Sequence, residues 1–479
     1  MSTKNTPKKW AVVGGGVLGM TTALRLAQAG HQVTLFEAAD HLGGLADAWK
    51  LGEITWDRHY HATLLSDSFT RKILGEVNLD DDMQWVETKT GFFTNGQLHS
   101  MSSSWEFLTF PPLSLWSKFR LGLTISVGSK IKNWKRLEKM LVADWLTKWS
   151  GKKTFEKMWL PLLRSKLGEN YKKTSAAFIW ATIARLYAAR RTGLKKEMFG
   201  YLPGGYARFL DSFEQYLKDN GVTLKTGCAV KNIASTDEGR VHLSSVPTES
   251  PTDEPSTEAF DQVVATVPSG LIPRIIPDLS DSESQKHNQI EYQGIVCASL
   301  LLKKPLAEYY VTNITDGNAP FTGVIEMTTL VDRQQFNGHS LVYLPFYVPQ
   351  DDPIFEQSDE EIKEQSLQGL ESMYPEFHRD DLVEFRVSRV KRVMAISTLN
   401  YSESLPPIQT SVPNVFVVNS AQIVNGTLNV NETIKLAETA VEGNTASGIQ
   451  RRTQIAIRET TCRNHLLVYR STWTTNGRT

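Results

Sequence analysis

The chain has 479 residues, with 52 basic and 52 acidic side chains and no formal net charge, so no bulk electrostatic attraction draws it to nucleic acid. Its 41% hydrophobic and 22% charged residues are the composition of a folded globular protein, which excludes a disordered, collagen-like or coiled-coil chain. No run of about 18 uncharged apolar residues is present to span a bilayer. Cys228, Cys297 and Cys462 have neither metal-ligand nor disulfide-framework spacing, so a metal-free protein of the cytoplasm, or peripheral at a membrane, is expected.

In chain order, residues 10–14 (WAVVG) read as a short buried strand. Residues 17–29 read as a helix ended by Gly30, and residues 31–37 as a second strand closing at Glu37. From Ser66 the pattern turns helical. The most aromatic stretch follows, residues 105–199, interrupted at Phe110-Pro111-Pro112. Strands return at 222–224, 229–233 and 241–244. Residues 245–258 (SVPTESPTDEPSTE) read as a solvated hairpin tip, and 261–266 as a buried strand. Residues 291–350 alternate in the manner of an antiparallel sheet, and 359–373 form an acidic amphipathic helix. Residues 414–418 are a last strand and 430–448 a last helix. The tail from Arg451 shows no periodicity. The chain thus begins and ends with strand–helix units suited to a parallel sheet, and carries helical and antiparallel material between them: an α/β (α+β) protein with a discontinuous dinucleotide domain.

Four motifs carry chemistry. Gly14-Gly15-Gly16-Val17-Leu18-Gly19 is a G-x-G-x-x-G between a strand and a helix. Gly14 permits the tight turn, Gly16 lets a pyrophosphate reach the backbone, and Gly19 permits close helix–strand packing. Glu37 ends the next strand, where a carboxylate accepts from ribose hydroxyls. The second motif, Asp40-His41-Leu42-Gly43-Gly44-Leu45, can run close along an extended ligand. The third is Tyr201-Leu202-Pro203-Gly204-Gly205-Tyr206-Ala207, followed by a helix and a strand through Val230. The fourth is residues 414–420, ending in Asn419-Ser420, with the helix that opens at Val430.

At these residues the chain resembles the FAD-binding, glutathione-reductase-like flavoproteins of the flavin amine oxidase superfamily. In the helical stretches 105–120 and 142–175 it resembles the substrate domain of protoporphyrinogen-oxidase-type enzymes and carotenoid desaturases. The resemblance implies a Rossmann-type FAD domain and non-covalent FAD as cofactor. It implies adenine contact near Val230, ribityl contact at Asn419 or Ser420, and a flavin-facing helix N-terminus at Val430. Leu45 stands where the superfamily usually has Arg, and Asn419-Ser420 where it has Gly-Asp. Candidate strand 295–302 lacks the lysine that primary-amine oxidases place above the flavin; Lys303 and Lys304 come only at its end.

The implied organisation is FAD binding in 9–65, 200–290 and 411–450, a helical substrate insert in 66–199, an antiparallel substrate domain in 291–410, and a tail in 451–479. Segment 56–61 (WDRHYH) follows the Gly-Gly loop and, by the resemblance, returns beneath the flavin ring. Arg58 is a pyrophosphate candidate there. His59 and His61 are the candidate catalytic or substrate-orienting pair, placed on one face if the segment is extended. Arg185, Arg190 and Arg191 are candidates for an anionic group, with a solvated helix face as the alternative. The expected activity is hydride transfer from a lipophilic or extended small-molecule substrate to FAD. A flavin-dependent isomerase or sugar mutase, and a non-catalytic flavoprotein, are the alternatives.

Overall fold

The computed structural model describes residues 6–189, 198–317, 319–424 and 426–445. Arg190, Arg191, Cys462 and the 451–479 tail lie outside these residues.

Five strands form an all-parallel sheet in the order Thr223–Lys225, Gln32–Phe36, Lys9–Val13, Gln262–Ala265, Val415–Val417. The apolar run of Lys9–Val13 suits its central place. Trp10 and Val12 face one core cluster, and Ala11 and Val13 face another. A strand buried on both faces reads as continuous hydrophobicity rather than alternation. Helices Val17–Gln28, Gly205–Asp219 and Val430–Thr445 cover one face, with Leu24, Phe209, Phe213 and Ile434 in a single cluster with Val12 and Leu35. Strands Cys228–Ser235, Val241–Pro247 and Ser256–Phe260 form an antiparallel sheet at the other face. The hairpin tip is shorter than the composition of 245–258 suggests, because Ser245, Ser256 and Glu258 are paired strand residues.

The second large sheet has seven strands, in the order Leu382–Ala395, Tyr292–Leu302, Ser340–Pro349, Gly323–Glu326, Val311–Ile314, Thr90–Thr94, Gln97–Ser100. Every residue of Tyr292–Leu302 is buried. Val296, Ala298 and Leu300 pack with helix Asp359–Met373, whereas Ile295, Cys297 and Leu301 pack toward Trp56 and Tyr343. The antiparallel expectation for 291–350 holds, and no lysine lies within the strand.

The 66–199 insert is corrected at both ends. Helix Ser68–Glu76 is followed by strands Gln84–Glu87, Thr90–Thr94 and Gln97–Ser100, the last two completing the edge of the seven-stranded sheet. At the other end, Met198–Tyr201 pairs with Thr63–Leu64 and Gln84–Glu87. The described helical block runs from Ser104 to Ala189. Its core gathers Trp145, Leu146, Trp159, Leu163 and Phe178. The Phe110-Pro111-Pro112 break separates helix Ser104–Thr109 from Leu115–Gly128.

Candidate functional site

The first glycine motif, Glu37 and Asn419-Ser420 all lie just beyond the carboxyl ends of parallel strands, the edge at which open α/β sheets bind ligands. Strand Lys9–Val13 leads to a neighbour on one side and, much later in the chain, to Gln262–Ala265 on the other, which makes this a topological switch point.

The three glycines of the motif have different reasons to be glycine. Gly14 has φ of +111°, and a Cβ there would lie 2.7 Å from Thr266 Oγ1. A Cβ on Gly19 would lie 1.8 Å from the Gly14 carbonyl oxygen, so helix and turn touch through it. A Cβ on Gly16 meets only Gly44 Cα at 3.9 Å, so no protein atom here requires it to be glycine and the space beside it is open. Gly16 also N-caps helix Val17–Gln28 with no side-chain cap and no acid in the first turn. The leading N–H groups at Val17 and Leu18, with the positive end of the helix dipole, therefore suit a phosphate. Gly15, the middle residue, was not singled out from sequence, yet its Cβ would clash with Leu42 and Glu37.

Glu37 accepts from Gly15 N at 2.5 Å and from Ala39 N at 2.9 Å, which aims its carboxylate across the glycine turn with lone pairs to spare for hydroxyls. Cys228 N donates to the Glu37 carbonyl at 2.8 Å, bringing the strand that carries Val230 alongside. Val230 is half-buried and sits at a register break. Gly43 N donates to the Gly15 carbonyl at 3.0 Å, so the Gly-Gly loop rides on the first glycine loop, and Leu45 is half-buried in the turn Gly44–Ala46. Arg58 supplies the nearby cation. It pairs with Asp47 at 3.2 Å and lies over Trp49, while its buried Nε has no protein partner.

At the last strand the two candidates separate. Asn419 is buried and spends its amide on Ser269 and Ala421 N, which ties two parallel strands together, whereas Ser420 is half-exposed. Helix Val430–Thr445 is capped by Asn429, whose side chain accepts from Glu432 N at 3.0 Å. Asn431 accepts from Phe69 N at 2.9 Å, which ties this helix to the one beginning at Ser68.

His59 and His61 do not share a face, because 58–62 is irregular rather than extended. His59 is buried. Its Nε2 is 3.1 Å from Ser388 Oγ and its ring bonds the Leu45 carbonyl, so it joins the Gly-Gly loop to the seven-stranded sheet. Burial, followed by the nearby His61 and Arg58, lowers its pKa to about 3 and keeps it neutral. His61 instead lies 3.3 Å from Asp57 Oδ2, sits with its ring tilted 4.5 Å from that of Tyr206, and lines a small, narrow cleft together with Trp56, Asp57, Gly205 and Tyr206. Buried Asp57 accepts from Tyr206 N at 2.6 Å, at the N-terminus of helix Gly205–Asp219. Gly205 leaves it room, since a Cβ there would lie 2.7 Å from Asp57 Oδ1. Sequence reading passed over Asp57 and Tyr206 as site residues; their only local signal was an acid four residues before His61 and the adjacent Gly-Gly pair.

Two further groups were missed. Lys166, from the helical block, donates to Tyr347 OH at 3.2 Å, and Tyr347 OH is 2.9 Å from Tyr60 OH. Tyr347 pairs with Ile295 in the buried strand, so a lysine reaches this sheet from helix Leu160–Leu167 rather than from within the strand. Arg185 is committed to Asp67 at 2.8 Å. Among the described residues no cluster of His, Cys, Asp and Glu has the arrangement of a metal site.

The profile of the family described as flavin containing amine oxidoreductase matches residues 19–435. Zeta-carotene desaturase of Synechocystis sp. is 21% identical over 457 residues, covering 86% of this chain and 91% of that protein. Hydroxysqualene dehydroxylase of Zymomonas mobilis is 21% identical over 424 residues, covering 85% and 92%. A solved structure from Exiguobacterium sp., assigned as a protoporphyrinogen oxidase, superposes with a TM-score of 0.71 at 17% identity, covering 92% of this chain and 99% of that one. At that identity the likeness is one of fold.

Proposed function

Because the chain belongs to the flavin containing amine oxidoreductase family, an FAD-dependent oxidoreductase family, we propose that its parallel sheet is a discontinuous Rossmann-type domain that holds FAD without a covalent bond, and that its substrate is lipophilic. The observation that carries the reading is the open space at Gly16 beside an uncapped helix N-terminus, with Glu37 aimed across the same turn. In this reading Gly16, Val17, Leu18 and Gly44 hold the pyrophosphate by backbone, with Arg58 Nε the adjacent charged donor. Glu37 takes ribose hydroxyls, Val230 backs the adenine, Ser420 rather than Asn419 meets the ribityl chain, and the Val430 helix start faces the pyrimidine end. Bound FAD supplies the acceptor for hydride from the substrate.

The protein contributes orientation and exclusion of water. His61, held by Asp57 and packed against Tyr206, presents a ring to the cleft, whereas His59 positions the Gly-Gly loop. The two relatives act, by name, on zeta-carotene and hydroxysqualene, both lipophilic, and that supports a lipophilic substrate here. An enzyme acting on such substrates gains from a place at the membrane surface, so we assign it peripheral contact there. The sugar-mutase alternative loses support because Arg185 is engaged by Asp67.

The test is acid precipitation of one sample and, on intact protein, anaerobic mixing with isoprenoid hydrocarbons and with amines. FAD should appear free in the supernatant, and an isoprenoid rather than an amine should bleach the flavin band. His61→Ala should retain FAD and slow bleaching more than His59→Ala does. A yellow pellet would overturn non-covalent binding, and bleaching by amines alone would overturn the substrate class.

A further inference from the structure

Nine large apolar side chains are exposed among the described residues, and six of them fall between 105 and 123. Trp105 is 73% exposed, Leu115 74%, Trp116 67% and Phe119 60%. They belong to two helices that turn apolar side chains to solvent as well as to the core. Helix Leu115–Gly128 buries Ser117, Leu121, Thr124 and Gly128 and turns Leu115, Trp116, Phe119 and Leu123 to solvent, a stripe at helical spacing. Helix Ser104–Thr109 likewise exposes Trp105 and Leu108. Buried Lys118 donates to the Leu108 carbonyl at 2.6 Å and joins the two helices across the Pro111-Pro112 turn, while Phe110 and Leu113 anchor that turn inward. The exposed faces are therefore held rigid by the core, and Trp116 and Phe119 stack at 5.6 Å.

Charge is as uneven as hydrophobicity. Residues 105–140 contain seven basic and two acidic side chains in a chain that is neutral overall. Both acids are engaged, Glu106 in the cap with Ser103 and Glu138 with Ser402. Lys130, Lys132, Lys135, Arg136 and Lys139 follow the apolar helix directly and are all exposed. None of the five makes an ion pair among the described residues.

We propose that this helical hairpin is the membrane-docking surface of the protein, seating Trp105, Leu115, Trp116 and Phe119 at the headgroup–acyl boundary of a bilayer rich in anionic phospholipid, with the five cations over the headgroups. It deepens the peripheral contact assigned above and rests on it. Aromatic rings with a polar edge favour that boundary, and interfacial helices pair an apolar stripe with Lys and Arg. A second copy of the chain is a poorer occupant, because two-fold pairing of this face would bring the unpaired cations of both copies together.

The test is sedimentation of the full-length, FAD-loaded chain with phosphatidylcholine vesicles, with and without phosphatidylserine. Wild type should partition onto the phosphatidylserine vesicles, and added salt should release it in part. The triple substitution L115S/W116S/F119S should reduce partitioning about a hundredfold with FAD content and melting temperature unchanged. K130E/K132E/K135E should abolish the preference for phosphatidylserine. No partitioning of wild type, or equal partitioning of the triple variant, overturns the proposal, and a wild-type dimer that the triple variant converts to monomer assigns the face to self-association instead. Because binding is read without turnover, failure here leaves the oxidoreductase reading standing, and a vesicle-bound protein that bleaches with no isoprenoid leaves the surface standing.

Discussion

The parallel sheet and the helical block dispose of apolar side chains in opposite ways. In the sheet, Trp10 to Val13 are almost fully buried, and at the end of that strand there is open space against the backbone of Gly16. In the block, the core takes Trp134, Trp145 and Trp159 inward, yet the outermost hairpin turns Trp105 and Trp116 outward and buries Ser117 and Thr124. The first region is shaped by what must approach its backbone, and the second by what must cover its side chains. The two call for different experiments: one reads the consequence of adding a side chain, the other of removing one.

The largest effect is expected at the glycine turn, where two substitutions a single helical turn apart should fail differently. Gly19→Val places a side chain 1.8 Å from the Gly14 carbonyl oxygen, against backbone that cannot yield, and should cost more than about 4 kcal/mol, giving little folded protein. The Cβ added by Gly16→Val meets no protein atom closer than 3.9 Å, so this variant should fold with a melting temperature near that of the FAD-free wild type, but without FAD. Circular dichroism and flavin absorbance on both variants separate the outcomes. An FAD-loaded Gly16→Val protein would reduce the motif to a turn.

A smaller effect, and one that probes the seam between the two large sheets, comes from pH. His59 has a folded pKa of about 3, below the ordinary value near 6.5, so the folded state binds fewer protons than the unfolded one. The stability that follows is fully present above about pH 6.5 and is lost as pH falls toward 3. By pH 5 the loss should be about 2 kcal/mol, read as a lower denaturant midpoint. His59→Gln should flatten that part of the profile while keeping a partner for Ser388. An unchanged slope would mean that His59 opens to water.

The regions also differ in how far they were legible. The glycine turn, Glu37 and the terminal helix could be read because their constraint is local: a strand, a tight turn and a helix start lie within a few residues of one another. What lay hidden depended on partners far along the chain. Strand Thr90–Thr94 pairs with Val311–Ile314, so 90–100 carries no signal of its own beyond a short aromatic run. Asp57 draws its role from Tyr206, and Lys166 from Tyr347. The pairing of His59 with His61 failed for a related reason: alternation holds only in a strand, and the chain leaves the strand at Asp57. The outward stripe at 115–123 was not legible, because helix Leu115–Gly128 carries apolar side chains on both sides, and only the packed core shows that Leu121 faces inward while the larger group, Leu115, Trp116, Phe119 and Leu123, faces outward.

The smallest expected effect tests that inversion directly. A tryptophan in a protein core, replaced by a small residue, forfeits its buried area and leaves a cavity, about 3–5 kcal/mol in all. Trp116 is 67% exposed and stacks on Phe119, itself 60% exposed, so it has little buried area to lose and no cavity to leave. Serine has a helix propensity close to that of tryptophan, and the backbone it replaces sits in the first turn, next to the Ser114 cap that accepts from Ser117 N at 3.3 Å. Trp116→Ser should therefore change the unfolding free energy by less than about 0.5 kcal/mol in the absence of lipid. The substitution also removes a large apolar group from water, so solubility should rise. A loss of 2 kcal/mol or more in urea melts would show that Trp116 is covered in solution by another part of the chain or by a second copy, and that the two regions bury their aromatic residues alike.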